Sequence, residues 1–266
     1  MGSNKRQARL DAIRDACSEY VSGRLPDDLA AVAKGALVEA SLPPDSIKIV
    51  PDEGDQEGQT LLLWYPSVTA DAEIQLRPAV RIEAGAKSAI DPHAAATVIP
   101  YVADVLDAAD LSVGNITTIG ADRTFWDKVI ILHGLRRWFD KRGVLHKEGD
   151  RISRHYYDVH QLLTTDVGRA ATSDIAMAID CARHARMFFD RPDFDLASAV
   201  TGRFMLTPAS DMVGALRRDY ANMIGMIFGV APDFDAVLES VVDLEKRISA
   251  IARQAAELQP PDGSVH

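Results

Sequence analysis

Residues 121–135, ADRTFWDKVIILHGL, and residues 150–163, DRISRHYYDVHQLL, decide how this chain is read. In the first, Phe125, Val129, Leu132 and Leu135 recur at helical spacing, with Trp126, Ile130 and Ile131 beside them. That makes a wide apolar surface rather than a narrow stripe, so the helix is expected to be mostly buried. Thr124, followed three residues on by Asp127, has the form of a capping box with Asp in the usual place of Glu, which puts the helix start there. Lys128 lies inside this helix, and an ammonium is costly to desolvate unless it meets an anion. Two readings stand: a lysine that snorkels or pairs with a core carboxylate, or a phosphate ligand.

In the second stretch Ser153 is placed to cap a helix whose Tyr156, Val159 and Leu163 face a core. Arg154 and Asp158 lie one turn apart on another face, a spacing that usually yields only a weak contact. Asp158, flanked by Tyr157 and Val159, is expected to be partly buried and held by Arg154 or by Lys128. A structural ion pair and a catalytic pair are both consistent with that pattern.

Between the two stretches the charges are unbalanced. Arg136, Arg137, Lys141, Arg142, Lys147, Arg151 and Arg154 stand against Asp140, Glu148 and Asp150. Such a run is either a solvated loop of mixed charge or a surface that receives phosphates; its position between Lys128 and Asp158 favours the second. The net charge of the chain is -10, which excludes a general nucleic-acid coat protein and confines any polyanion contact to a local patch.

Upstream, residues 5–40 read as two helices, the first carrying Leu10, Ile13, Cys17 and Val21 and stopping near Gly23, the second following Pro26. Ile47 and Ile49 then alternate with polar neighbours, residues 51–58 form an acidic turn, and Leu61 to Tyr65 is a continuous apolar run, which together predict a hairpin. Residues 74–83 alternate as a strand, with Ile74, Leu76, Val80 and Ile82 on the packing face and Pro78 marking a bulge or an edge. Glu83 projects from the end of that strand just before Gly85. It is either the surface partner of Arg81 or a divalent-metal ligand. Residues 94–107 read as a loop and a short helix, 116–119 as a short strand. Residues 175–189, 208–228 and 234–256 read as amphipathic helices separated by Pro and Gly, and the polar tail from Gln259 as disordered.

The chain has 266 residues, 47% of them hydrophobic, enough for a sizeable core. No apolar run approaches the ~20 residues of a membrane span, and the polar N-terminus carries no signal-like hydrophobic region. A cytoplasmic protein with no membrane partner is expected, with Cys17 and Cys181 as reduced core thiols.

The blocks TFWDKVIILH and RISRHYYDVHQLL resemble the AbiEii/AbiGii toxin family, the nucleotidyltransferases of abortive-infection toxin-antitoxin systems. LLLWYPSV (61–68), IQLRPAVRIEAGAKS (74–88), FFDRPDFDLASAVTGRF (188–204) and the block from Arg217 to Ile248 resemble it in the same order. The resemblance implies an α+β fold: a nucleotidyltransferase-like mixed sheet, incomplete at its N-terminal side, in residues 1–121. A helical domain in 122–258 carries the Lys and Asp motifs, and a disordered tail occupies 259–266. It also implies an enzyme that transfers a nucleoside monophosphate from a nucleoside triphosphate to RNA, tRNA in characterised relatives, with Mg2+ or Mn2+ and a cognate antitoxin. By position, Lys128 matches the family's motif lysine and Asp158 its motif aspartate. Arg151 and Arg154 are expected to bind phosphate with Lys128, and Glu83 to be a metal ligand.

The family's Gly-Ser loop and Asp-x-Asp segment do not occur in this sequence. The expectation is therefore an N-terminally truncated nucleotidyltransferase with an open sheet edge beside residues 60–83. The alternative is a catalytically inactive remnant that binds an antitoxin or RNA.

Overall fold

Contacts divide the chain into two compact units, residues 1–88 and 89–266. The computed structural model describes residues 3–67, 78–106, 110–146 and 151–258. In the first unit, helices α1 (Ser3–Ser22) and α2 (Arg24–Glu39) meet at Gly23. A side chain at that position would come within 2.7 Å of the Glu19 carbonyl oxygen, so the close turn needs glycine.

Strands β1 (Lys48–Pro51), β2 (Thr60–Trp64) and β3 (Ala79–Glu83) form an antiparallel sheet in that order. Lys48 faces Trp64, and Thr60 faces Glu83. The acidic turn between β1 and β2 is built on Asp55, whose carboxylate accepts from the Glu57 and Gln59 amides and from the Thr60 hydroxyl. Burial pushes its pKa up, but these three donors outweigh burial and hold it below the usual carboxylate range. Leu61 and Leu62 are both buried although consecutive strand residues point to opposite faces, so both faces of the central strand are covered there.

The strand expected over 74–83 is described only from Pro78; residues 74–77 lie outside the described residues. Pro78 fits because its carbonyl, not a missing N–H, joins the ladder, accepting from the Tyr65 amide at 3.0 Å. Val80, assigned to the packing face, is instead 53% exposed. Among the described residues β3 pairs on one side only, and alternation alone does not say whether a covering layer exists.

In the second unit, β4 (His93–Val98) pairs antiparallel with β5 (Val113–Ile119). This corrects the loop expected from residue 94: HAAATV lacks strict alternation, and its strand conformation is imposed by pairing with β5. The short helix expected beyond it is present as a 3-10 turn, Tyr101–Asp104. β5 feeds α3 (Ala121–Arg142), followed by α4 (Arg154–Thr164), α5 (Asp166–Ala171), α6 (Ile175–Phe188), α7 (Leu196–Val200), α8 (Ser210–Met223) and α9 (Phe234–Leu258).

One core joins them. Phe125, Trp126, Val129 and Leu132 of α3 meet Tyr156 and Val159 of α4, Met212 and Leu216 of α8, and the Val237, Val241, Leu244, Ile248 stripe of α9. The chain is therefore α+β, with small antiparallel sheets and many helices. Cys17 is partly exposed and Cys181 buried, both as free thiols. Among the described residues no helix is long and apolar enough to cross a membrane. The tail expected over 259–266 lies outside the described residues.

Candidate functional site

The site is held by α3 and α4, which pack against each other. α3 begins at Ala121, three residues before the expected capping box, with Gly120 as its N-cap. Thr124 accordingly sits inside the helix, its hydroxyl donating back to the Gly120 carbonyl at 3.2 Å. Asp127 is not a capping partner. Burial raises its pKa, countered in part by Arg123, His184 and Lys128. Arg123 is itself buried and ties three elements together, donating to the Asp91 carbonyl and to Asp180 of α6.

α4 begins where the sequence places it, but its first turn is satisfied differently. Ser153 occupies the N-cap position without a side-chain cap bond of its own. Its hydroxyl and its backbone N–H both donate to buried Asp219 of α8, at 2.6 and 2.7 Å. A carboxylate from a distant helix thus stands at the positive end of α4 and takes the place of a local cap. Asp219 was not singled out from sequence. The signal existed: it interrupts the apolar stripe of Met212, Leu216, Tyr220 and Met223.

With both helices fixed, Lys128 donates to Asp158 at 2.7 Å. The two side chains are 28% and 32% exposed. The partner of Asp158 is therefore Lys128 rather than Arg154. Arg154 is exposed and makes no ion pair among the described residues. Arg151, with φ +53, is exposed and donates to the Met226 sulfur. Glu83 lies in the other unit, on β3, where Arg81 approaches it at 3.2 Å, the surface pairing weighed from sequence.

The basic window divides. Arg136 is spent on Asp140 and the Thr207 carbonyl, and Arg137 on Asp195 and the Met205 sulfur. Lys141 donates to the Pro192 carbonyl and Arg142 to Asp193, but both remain exposed. Lys147 lies outside the described residues. A buried histidine locks the same segment to α3: His133 Nδ1 accepts from the Met205 amide, and its Nε2 faces the Asp195 carbonyl and the Ser198 hydroxyl.

A metal centre is a separate matter. Among the described residues no three His, Cys, Asp or Glu side chains gather to hold an ion. Asp158 is already paired with Lys128, and Glu83 with Arg81. These residues do not by themselves form a divalent-cation cage.

The Lys128 and Asp158 pair is an ammonium and a carboxylate at a half-open seam, with the Arg154 guanidinium one turn from Asp158 on α4. Such a set can neutralise phosphate oxygens and accept a proton. Comparison with known families matches residues 3–240 to the model described as nucleotidyl transferase AbiEii toxin, type IV TA system. No curated protein and no solved structure matches the chain.

Proposed function

Because the chain belongs to the AbiEii family of nucleotidyl transferase toxins of type IV toxin-antitoxin systems, we propose that it transfers a nucleoside monophosphate from a nucleoside triphosphate to a hydroxyl of a tRNA. The observation that supports this reading is the 2.7 Å contact between Lys128 and Asp158, residues 30 positions apart that are joined at a solvent-reached seam.

In this reading the triphosphate docks on Lys128, with Arg154 and Arg151 neutralising its outer oxygens. Docking draws the ammonium from Asp158, whose carboxylate is then free to accept the proton of the acceptor hydroxyl. The hydroxyl oxygen forms a bond to the α-phosphorus, the bond to the bridging oxygen breaks, and pyrophosphate leaves with its charge held by the cations. Any divalent ion supplies further neutralisation of the triphosphate when bound.

The test is incorporation of labelled nucleotide into tRNA by the purified chain with each triphosphate and with Mg2+ or Mn2+. Incorporation abolished by Lys128→Ala and by Asp158→Asn supports the assignment. Incorporation that survives both substitutions removes these residues from the chemistry. RNA or antitoxin binding with no incorporation under any condition marks a binding module instead.

A further inference from the structure

The second unit leaves a pair of stacked aromatic rings in solvent. Tyr101, on the 3-10 turn after β4, and Phe228, on the segment between α8 and α9, lie with ring centroids 5.5 Å apart and planes 13° apart. The rings nevertheless stay 77% and 78% exposed. Gly229, at φ +83, makes the sharp turn that follows Phe228. Met226, Val230 and Val105 on the same two segments are exposed as well. Apolar surface gathered in water in this way marks a binding site.

A cation stands beside the pair. Arg151 donates to the Met226 sulfur at 2.9 Å, and Met226 lies two residues, at most about 7 Å of chain, from Phe228. Sulfur is a weak acceptor, so the guanidinium charge is left unanswered. Arg151 is exposed and makes no ion pair among the described residues. Its backbone, at φ +53, is in the left-handed region that disfavours a long side chain, and strain of that kind persists where it aims a functional group. Asp104 closes the turn that carries Tyr101. It repels phosphate from that ring and places it toward Phe228 and Arg151.

A guanidinium beside an aromatic stack meets the two halves of a nucleotide, phosphate and base. A purely apolar partner would cover the rings and leave Arg151 without an anion. We propose that Tyr101 and Phe228 form a platform on which a nucleobase stacks, with the phosphate of that nucleotide on Arg151. The inference deepens the transfer reading and rests on it for the source of the nucleotide: there Lys128, Arg151 and Arg154 hold phosphates, and none of them holds a base. An incoming triphosphate and an acceptor RNA bring the same chemistry, and the experiment separates them.

Calorimetric titration of the full chain with three probes tests it: each nucleoside triphosphate, a short single-stranded RNA, and inorganic triphosphate, which has no base. Phe228→Ala and Tyr101→Ala are each expected to weaken a base-bearing probe about tenfold and to leave inorganic triphosphate unchanged. Phe228→Trp retains the affinity, Arg151→Ala weakens the same base-bearing probe, and Phe189→Ala, a 50% exposed ring at the end of α6, changes nothing. Thermal melting checks the fold; should Phe228→Ala melt early, Tyr101→Ala carries the comparison. A loss confined to a nucleoside triphosphate assigns the platform to the incoming nucleotide, and a loss confined to RNA assigns it to the acceptor. The platform is overturned if the wild type shows no base-dependent binding, if both alanine variants bind as the wild type does, or if inorganic triphosphate is weakened as much as the other probes. A ring substitution that splits a dimer in light scattering without changing nucleotide affinity also overturns it, and makes the patch a contact between two copies. Ring-sensitive binding without nucleotide incorporation keeps the platform and removes the transfer reading. Incorporation that Lys128→Ala abolishes and the ring variants leave intact, with their affinities unchanged, does the reverse.

Discussion

The Asp219 carboxylate accepts both the backbone N–H and the hydroxyl of Ser153, from a residue 66 positions away on another helix. It is 7% exposed. Through these two bonds α8 sets where α4 starts, and therefore where Asp158 meets Lys128.

Asp219→Ala leaves the Ser153 N–H without a partner in the core and its hydroxyl with only the Met223 sulfur at 3.3 Å, a loss of about 1–3 kcal/mol from the unsatisfied polar group. The expected result is a lower urea midpoint with an unchanged m value. A midpoint equal to the wild type would show that the first turn of α4 finds another cap.

Lys128→Met separates chemistry from stability. A partly exposed ion pair contributes about 1 kcal/mol or less, so the melting temperature should shift little while nucleotide transfer is lost by orders of magnitude. A large fall in stability together with retained transfer would identify the pair as purely structural.

Burial lowers the His133 pKa below its ordinary value, with the Asp195 carbonyl and carboxylate and Glu245 opposing the shift and Arg137 reinforcing it. Its Nδ1 is an acceptor for the Met205 amide and loses that bond on protonation. The unfolded chain then takes up the proton first, at about 6.5. Stability is therefore full above that pH and falls as pH drops through it toward the folded value. Urea midpoints between pH 7.5 and 5 should fall for the wild type and stay flatter for His133→Gln, once each is referred to its own value at the upper limit.

The Tyr156 hydroxyl is buried and without a hydrogen-bond partner among the described residues. Tyr156→Phe should be neutral or stabilising by up to about 1 kcal/mol, since it removes an unpaired polar group. Tyr156→Ala should cost about 3–5 kcal/mol through the cavity it leaves. Loss of stability in the Phe variant would point to a partner for the hydroxyl.

Burial pushes the Cys181 thiol up to about 12, and it touches Asp127. Cys17 is only partly covered. Alkylation of the native protein followed by mass spectrometry should label Cys17 first, with Cys181 reacting only after denaturation. Early labelling of Cys181 would contradict the packing of α6 on α3.

Much of this was legible in the residues. The apolar positions of α3 repeat with so wide a face that only a buried helix accommodates them, and Phe125, Trp126, Val129 and Leu132 are fully covered. The hairpin was readable because Ile47 and Ile49 alternate with polar neighbours, residues 51–58 are an acidic turn and Leu61 to Tyr65 is a continuous apolar run. Strand β4 was not readable, because an alanine-rich run has no period of its own and takes its conformation from the strand beside it. Nor were the short helices α5 and α7, which span six and five residues and carry too few turns to show a repeat.

What the sequence by itself determined is the set of helical periods, the polarity of each face and the placement of Lys128 and Asp158 on two helices. Tertiary structure alone decided that Lys128, not Arg154, holds Asp158, that Asp219 caps α4, and that Arg136 and Arg137 are spent inside while Arg151 is left outside. Periodicity is a property of neighbours along the chain, set by backbone geometry. Which charge meets which is settled only when distant elements pack, because burial without a partner is costly and the fold selects whichever carboxylate or carbonyl lies within reach.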